Sequence, residues 1–125
     1  MKHLIFACAS LAAIAAAAQT AAPAQKDLRA FYRDNCARCH GIDGAARAAD
    51  GKGLRGQDFT DENWRAGTTD EKMAKVILKG KFFGLAMPGY SKQLSKEEAL
   101  RFAAEVLRAA VKGAPIAPGP GQPKQ

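Results

Sequence analysis

The amino-acid sequence predicts a small all-α fold in which three main helices are separated by long loops. Apolar residues recur at helical spacing in three segments, and no segment alternates between apolar and polar residues as a strand would. Two of the helical segments begin with residues in a capping-box arrangement. The chain has 125 residues, which is enough for one small domain.

The first 24 residues are predicted to be a cleaved secretory signal. Lys2 supplies a positive start, residues 4–18 are almost entirely apolar, and small residues follow, with cleavage options after Ala18 or Ala24. We therefore expect an exported, periplasmic protein with no stable membrane anchor.

Three other interpretations of this segment remain open. The run could be a retained membrane anchor, although it is short and alanine makes it weakly hydrophobic. It could be a buried alanine helix, or Cys8 could be the modified cysteine of a lipoprotein.

The charge of the chain is strongly positive. The full chain carries +7, and without Lys2 it has 18 basic and 12 acidic residues. Such a surface suits an acidic protein partner or an anionic membrane, although part of the charge can simply be solvated. A nucleic-acid partner is not expected, because the chain is predicted to be exported and has no basic-aromatic stripe.

The first helix is predicted over residues 26–40. Leu28, Phe31 and Tyr32 lie at positions i, i+3 and i+4 of one face, which Cys36 and Cys39 continue. A glycine-rich stretch without pattern follows over residues 41–59. A loop of that length indicates that a bound group organises it.

The second main helix is predicted over residues 69–79. Thr68 and Glu71 form its capping box, Gly80 ends it, and its apolar face carries Met73, Val76 and Ile77. A short turn is expected before it at residues 60–64, and a loop after it at residues 80–94.

The last helix is predicted over residues 95–111, with Ser95 and Glu98 as its capping box. Its polar stripe comprises Glu97, Arg101, Glu105, Arg108 and Lys112. Its opposite face is expected to pack against the first helix through Phe102, Ala103, Val106 and Ala110. The domain is thus predicted to span residues 25–112, followed by a disordered proline- and glycine-rich tail over residues 113–125.

The motif Cys36-Ala37-Arg38-Cys39-His40 is C-x-x-C-H, the signature for covalent attachment of haem. Residues three apart on a helical turn lie about 5–6 Å apart at Cβ, so both thiols can reach the two vinyl groups along one haem edge. His40 follows on the same side and can ligate the iron through Nε2, with Nδ1–H held by a carbonyl. One covalent haem c is therefore predicted.

Three alternatives compete for the two cysteines. A thioredoxin-like C-x-x-C normally lies in a βαβ context, which this chain lacks. A zinc site needs more ligands than Cys36, Cys39 and His40 provide, unless water completes it. A structural disulfide would not explain why His40 follows Cys39 directly.

Met87 is predicted to be the second axial ligand of the iron. Signal cleavage removes His3, so no second histidine remains, and the candidate sulfurs are Met73 and Met87. Met73 lies on the apolar face of a helix, where methionine usually fills space. Met87 precedes Pro88 in a loop, where a stiff backbone can aim a side chain. Alternatively, Met87 only packs, or the iron is five-coordinate.

The order of helix, CARCH, glycine-rich loop, short turn, helix, AMPGY loop and terminal helix resembles a class I c-type cytochrome. The resemblance covers about residues 26–112. The stretch DFTDENW at residues 58–64, with Gly67, is also similar to the c-type haem domains of haem–copper oxidase subunits. The resemblance implies the cytochrome c-like fold.

In such a fold Cys36, Cys39 and His40 lie on one side of the haem and Met87 on the other. The first and last helices would cross near Phe31 and Phe102. The family often has a Gly-Pro carbonyl that accepts the histidine Nδ1–H. The corresponding stretch here is residues 51–55, so a backbone carbonyl in that stretch is the expected acceptor.

Trp64 and Arg55 are candidates for contacting the haem propionates, because an indole N–H and a guanidinium both donate to carboxylates. The alternatives are that Trp64 only fills the core below the haem and that Arg55 is solvated.

A haem with both axial positions filled has no place for a substrate, so a one-electron carrier that is not itself an enzyme is expected. The predicted partners are a donor and an acceptor redox protein with acidic docking faces, and the carrier is predicted to be a monomer. The docking rim would contain Arg38, Lys79, Lys81 and Lys92. The alternatives are an electron-transfer subunit of a dehydrogenase or oxidase complex, and a haem protein that reacts with a gas or peroxide.

Overall fold

The computed structural model describes residues 24–119, so nearly all of the predicted signal and the end of the predicted tail lie outside the described residues. The helices are α1 (Leu28–Asn35), α2 (Ala37–His40), α3 (Glu62–Ala66), α4 (Asp70–Lys79) and α5 (Lys96–Arg101), and α5 continues as a π-helical segment (Phe102–Leu107). Between residues 24 and 119 there are isolated β-bridges but no strand. The all-α fold class is confirmed.

The predicted first helix is two helices that meet at Cys36. The Asp27 side chain accepts from the Ala30 N–H at 3.0 Å and begins α1, whereas Cys36, at φ −114° and ψ −36°, departs from ideal helical angles and separates the two helices. The His40 N–H then donates to the Cys36 carbonyl at 3.0 Å, which closes the single turn of α2. The break leaves both cysteines and His40 on one turn.

The second main helix begins one residue later than predicted. The side chain of Thr69, not Thr68, accepts from the Lys72 N–H at 3.2 Å and begins α4. The capping box of Thr68 and Glu71 is therefore wrong, because the hydroxyl that caps the helix belongs to the next residue. Gly80 ends α4 as predicted, at φ 73°.

The last helix has the predicted capping box of Ser95 and Glu98, with both reciprocal bonds present. It then widens into π-helical geometry, in which the Arg108 N–H donates to the Ala103 carbonyl five residues back at 3.0 Å. A π-turn adds a residue to the turn and rotates the residues that follow. The α-helix ends at Arg101 and the π-helical segment at Leu107, before the predicted end at residue 111.

The core lies where α1 crosses the π-helical segment. Phe31 meets Phe102 edge to face with the ring centres 5.6 Å apart, and Tyr90 packs on the other edge of Phe31 at 5.3 Å. Tyr32 and Phe102 are the largest side chains that are fully buried in the described part of the chain. This packing brings the first and last helices together, as the family resemblance implied.

Arg108 was predicted to belong to a polar stripe, but its side chain connects the terminal helix to α3 and α4. Its guanidinium donates to Asp70 at 2.6 Å, to the Arg65 carbonyl at 2.9 Å and to the Thr68 carbonyl at 2.7 Å. The rotation introduced by the π-turn directs this side chain toward the end of α3 and the start of α4. Arg108 therefore fixes both elements to the terminal helix.

Residues 113–119, the described part of the predicted tail, pack against the domain. Ile116 is buried, its N–H donates to the Ile42 carbonyl at 2.9 Å, and its carbonyl accepts from Arg29 at 2.8 Å. Ala117 is buried as well, and the Gly113 N–H donates to the Asp43 carboxylate at 2.8 Å, so several contacts hold a segment whose composition alone predicts disorder. Across residues 24–119, no helix has the length and apolar character needed to cross a bilayer.

We expect Arg108→Met to lower the free energy of unfolding by about 1–2 kcal/mol, because it removes charged hydrogen bonds to three partners while keeping most of the aliphatic volume. Urea denaturation of the purified holoprotein measures this change.

Arg101→Met is the matched control in the same helix. Arg101 makes an exposed i,i+4 ion pair with Glu105, a kind of contact that contributes little. Equal destabilisation by the two substitutions would contradict the role given to Arg108.

Candidate haem-binding site

The three residues of the C-x-x-C-H motif lie together on the turn of α2. Cys36 is buried, Cys39 is exposed, and His40 is buried with 9% of its surface accessible. The two cysteines do not form a disulfide with each other. Burial, and to a smaller extent the neighbouring Cys39, raises the pKa of the Cys36 thiol to about 12.

The glycine-rich loop closes over this turn through two hydrogen bonds. His40 Nδ1 lies 3.0 Å from the Gln57 carbonyl, and the Gly56 N–H donates to the Cys39 carbonyl at 2.8 Å. A backbone carbonyl accepts from His40 as expected, but it does not come from residues 51–55. Gly56 has to be glycine, because a Cβ there would lie 2.4 Å from the Cys39 carbonyl oxygen and 2.6 Å from His40 Nδ1.

The His40 imidazole is held in its neutral form with a fixed orientation. Phe59 stacks on it with ring centres 4.4 Å apart and planes 15° from parallel. Burial lowers the pKa of His40, the Gln57 bond opposes that shift, and the charge of Lys81 lowers the pKa further. With Nδ1 bound to Gln57, the nitrogen left for a metal is Nε2, in the neutral form that metals require.

A largely apolar cavity of about 160 Å³ lies beside His40. One wall is the buried face of α4, and the stacked pair of Phe59 and His40 forms part of another. The lining residues are His40, Gln57, Phe59, Trp64, Thr68, Lys72, Met73, Val76, Ile77, Lys81 and Leu107. An apolar space with an oriented imidazole at its edge offers the surroundings and one of the donors that an attached haem needs, and the two cysteines lie on the same turn as His40 without lining the space.

Met87 lies next to this cavity without lining it. Its side chain is half-buried and packs against the core, and its carbonyl accepts from the Lys81 N–H at 2.9 Å. Lys81 itself lines the cavity, which places the Met87 loop at the cavity edge. A Cβ at Gly80 would lie 2.4 Å from the Met87 carbonyl oxygen, so this glycine permits the close approach. Met73, the other candidate sulfur, is buried in the α4 wall.

The two candidate propionate donors have different positions. Trp64 is half-buried, lines the cavity and packs against Phe59 with ring centres 5.6 Å apart. Arg55 is exposed and is not among the lining residues. The structure instead brings Lys72 and Lys81 to the cavity. No sequence motif singled out these two lysines as lining residues, because each sits at an otherwise ordinary solvent-facing position.

Tyr90 connects the loop of Met87 to the first helix. Its side chain is buried, and its hydroxyl donates to the Asn35 carbonyl at 3.1 Å. The loop that carries Met87 and the turn that carries Cys36 are therefore attached to the same end of α1.

The zinc alternative has no support within residues 24–119, where no three His, Cys, Asp or Glu side chains are arranged to hold a metal ion. Comparison with protein families gives a positive match instead. The family described as "Cytochrome C oxidase, cbb3-type, subunit III" matches residues 23–104. The chain belongs to this family. It is a c-type cytochrome domain, and the resemblance to class I c-type cytochromes is confirmed.

Two solved structures that are similar to this chain are also of a c-type cytochrome. The KustC0563 c-type cytochrome is 31% identical, with a TM-score of 0.56 over 70% of this chain and all of that one. A tyrosine-to-phenylalanine mutant of Kustc0563 is 28% identical, with a TM-score of 0.55 over 69% of this chain and all of that one. A comparison with curated proteins gave no significant match.

Membership in the cbb3-type subunit III family implies a haem c and haem-based electron transfer with redox partners. Domains of this kind are typically electron carriers and not enzymes. The motif at Cys36, Cys39 and His40 and the adjoining cavity are the features of this chain that fit such a cofactor.

Gly56→Ala should disrupt the closure of the loop over His40. The added Cβ cannot be accommodated unless the loop moves away from the Cys39 carbonyl and His40. We expect a loss of about 1–3 kcal/mol in the free energy of unfolding of the holoprotein, measured by urea denaturation.

Gly53→Ala is the matched control in the same loop, because no atom lies within 4 Å of the position of its Cβ. If the two variants unfold at the same urea concentration, the close approach at Gly56 is not a constraint on the fold.

Proposed function

We propose that this protein is an exported, monomeric one-electron carrier with one haem c, covalently attached and ligated by His40 and Met87. The observation that carries the proposal is the buried, neutral His40, oriented by the Gln57 carbonyl on the turn of Cys36 and Cys39 beside an apolar cavity. The predicted signal assigns the carrier to the periplasm.

Cys36 and Cys39 would hold the haem covalently, each through a thioether that results from addition of its S–H across one vinyl group. Cys36 is a buried neutral thiol that makes contact with the core, and Cys39 is exposed. Their difference in exposure supports an orientation in which one thioether is enclosed and the other lies toward solvent.

The bound iron supplies one-electron chemistry by changing its oxidation state. The chain's own residues hold it: His40 presents Nε2, and Gln57 keeps Nδ1 occupied so that the ring cannot turn. The apolar side chains of the cavity exclude water. A thioether ligand and apolar surroundings both favour the reduced state, so the potential should be comparatively high.

Met87 is proposed as the second ligand because its loop is held at the cavity edge by the backbone bond to Lys81 and by the following Pro88. Met73 is a buried part of the α4 wall, in line with its interpretation as core packing. Trp64 is proposed as a propionate donor from its place in the cavity lining. For Arg55 the exposed position offers no such support, and its role stays a prediction.

There are two alternatives to the proposed function as a free electron shuttle. The family is named for an oxidase subunit, so the same domain could serve within a complex. A loosely held Met87 would open the iron to a gas or to peroxide. We propose no catalysed reaction for this electron carrier.

Covalent attachment through the motif is tested by Cys36→Ala and Cys39→Ala, expressed together in a host with a haem attachment pathway. We expect haem staining in denaturing gels to disappear, whereas the wild type keeps it. Retained staining in the double variant would refute attachment at these residues. The mature N-terminus, read by mass spectrometry of the same preparation, should be Gln19 or Gln25. An intact Met1 would contradict the predicted export signal.

Ligation by Met87 is tested by comparing Met87→Leu with Met73→Leu. Only Met87→Leu should abolish the iron–sulfur charge-transfer band of the oxidised protein and allow carbon monoxide to bind the reduced protein, because only this substitution opens the axial position. The opposite pattern would assign the ligand to Met73. Carbon monoxide binding to the wild type would favour the gas-reactive alternative, and co-elution with a larger assembly on size exclusion would favour the subunit.

A further inference from the structure

The segment over residues 113–119 is hydrogen-bonded to the loop that follows the C-x-x-C-H motif. The Gly113 N–H donates to the Asp43 carboxylate at 2.8 Å, and the Ile116 N–H donates to the Ile42 carbonyl at 2.9 Å. We call residues 113–119 the C-terminal strap. It contains no helix or strand, so these contacts and not its own secondary structure hold it in place.

The buried side chain of the C-terminal strap encloses a glycine of the same loop. Ile116 is 4% exposed, and its Cδ1 would lie 3.2 Å from a Cβ at Gly44. The Cβ atoms of Ala110 and Phe59 would lie 3.1 and 3.5 Å from the same point. Gly44 therefore has no room for a side chain, and Ile116 forms one of the three walls around it.

The enclosed loop positions the ring that stacks on His40. The Gly44 carbonyl accepts from the Phe59 N–H at 2.7 Å, and the His40 carbonyl accepts from the Ala46 N–H at 2.8 Å. The loop thus connects the C-terminal strap both to the backbone of His40 and to the Phe59 ring on its imidazole. No residue of the C-terminal strap lines the cavity beside His40, so these contacts do not use the space assigned to the haem.

We propose that the C-terminal strap positions the imidazole of His40, through Gly44 and Phe59, when that imidazole is an axial ligand. This inference rests on the proposed function as a haem-containing electron carrier. The packing of Ile116 beside Gly44 keeps the Phe59 ring parallel to the imidazole and keeps water from that face of it. The C-terminal strap thereby maintains one ligand orientation and the apolar surroundings that favour the reduced state.

The experiment compares variants of the holoprotein by amide hydrogen exchange in the reduced state and by redox titration. Ile116→Ala removes most of the side chain that packs beside Gly44 and leaves the backbone bonds of the C-terminal strap unchanged. Val106→Ala is the control, because Val106 is also a buried aliphatic residue but lies against the start of α1, beside Leu28.

We expect Ile116→Ala to accelerate hydrogen exchange of the Phe59 and Ala46 N–H groups about tenfold, because a cavity beside the enclosed glycine allows the loop to open locally. The reduction potential should shift downward, because water then reaches the imidazole of His40.

The selectivity of the effect is measured at a distant amide. The Gly80 N–H, which donates at 2.7 Å at the end of α4, should exchange in Ile116→Ala as it does in the wild type. Val106→Ala should produce neither the selective acceleration nor the shift in potential.

Unchanged exchange at Phe59, or equal acceleration at Gly80, would show that Ile116 contributes at most to global stability, and either result would overturn the proposal. Selective acceleration with an unchanged reduction potential would confine the effect to the loop and overturn the proposal as well. If Ile116→Ala does not fold, Ile116→Val is measured at the same amides, where about twofold acceleration is expected and none would overturn the proposal. A wild-type holoprotein without reversible one-electron redox chemistry would instead contradict the proposed electron carrier.

Discussion

The hydrogen bond between His40 Nδ1 and the Gln57 carbonyl is the interaction on which the rest of the site depends. It needs Gly56 to lie directly against the Cys39 carbonyl, so the loop and the motif turn can close only as a unit. Closure places Phe59 on the imidazole, and the Phe59 carbonyl accepts from Arg65 of α3. The position of α3 beside the cavity therefore follows from the orientation of one histidine ring.

The chain of hydrogen bonds that begins at His40 continues through Arg65 to the terminal helix. Arg65 also donates to the Ala110 carbonyl, and its own carbonyl accepts from Arg108, which in turn holds Asp70 at the start of α4. The wall of the cavity formed by α4 is thus positioned by side chains of α3 and of the last helix. Local helix propensity contributes little here, because α3 has only five residues and cannot be stable alone.

The features that could be predicted from the sequence depend on residues that lie close together in the chain. The motif turn needs only residues three and four apart, and the Ser95 and Glu98 capping box is equally local, so both were predicted correctly. The Gln57 acceptor lies 17 residues from His40, and no local rule selects it from neighbouring carbonyls. Arg108 was assigned to a polar stripe on the assumption of a regular helix, whereas the π-turn adds a residue. Residues 113–119 have a composition typical of disorder, and the contacts that hold them are with residues far away in the sequence, such as Arg29, Ile42 and Asp43.

The lysine charges near Met87 act over about 10 Å at moderate ionic strength, so in the proposed carrier they would affect how a partner approaches. A closed haem site, as proposed here, leaves partner choice to the protein surface, because the iron itself offers no position at which partners could be distinguished.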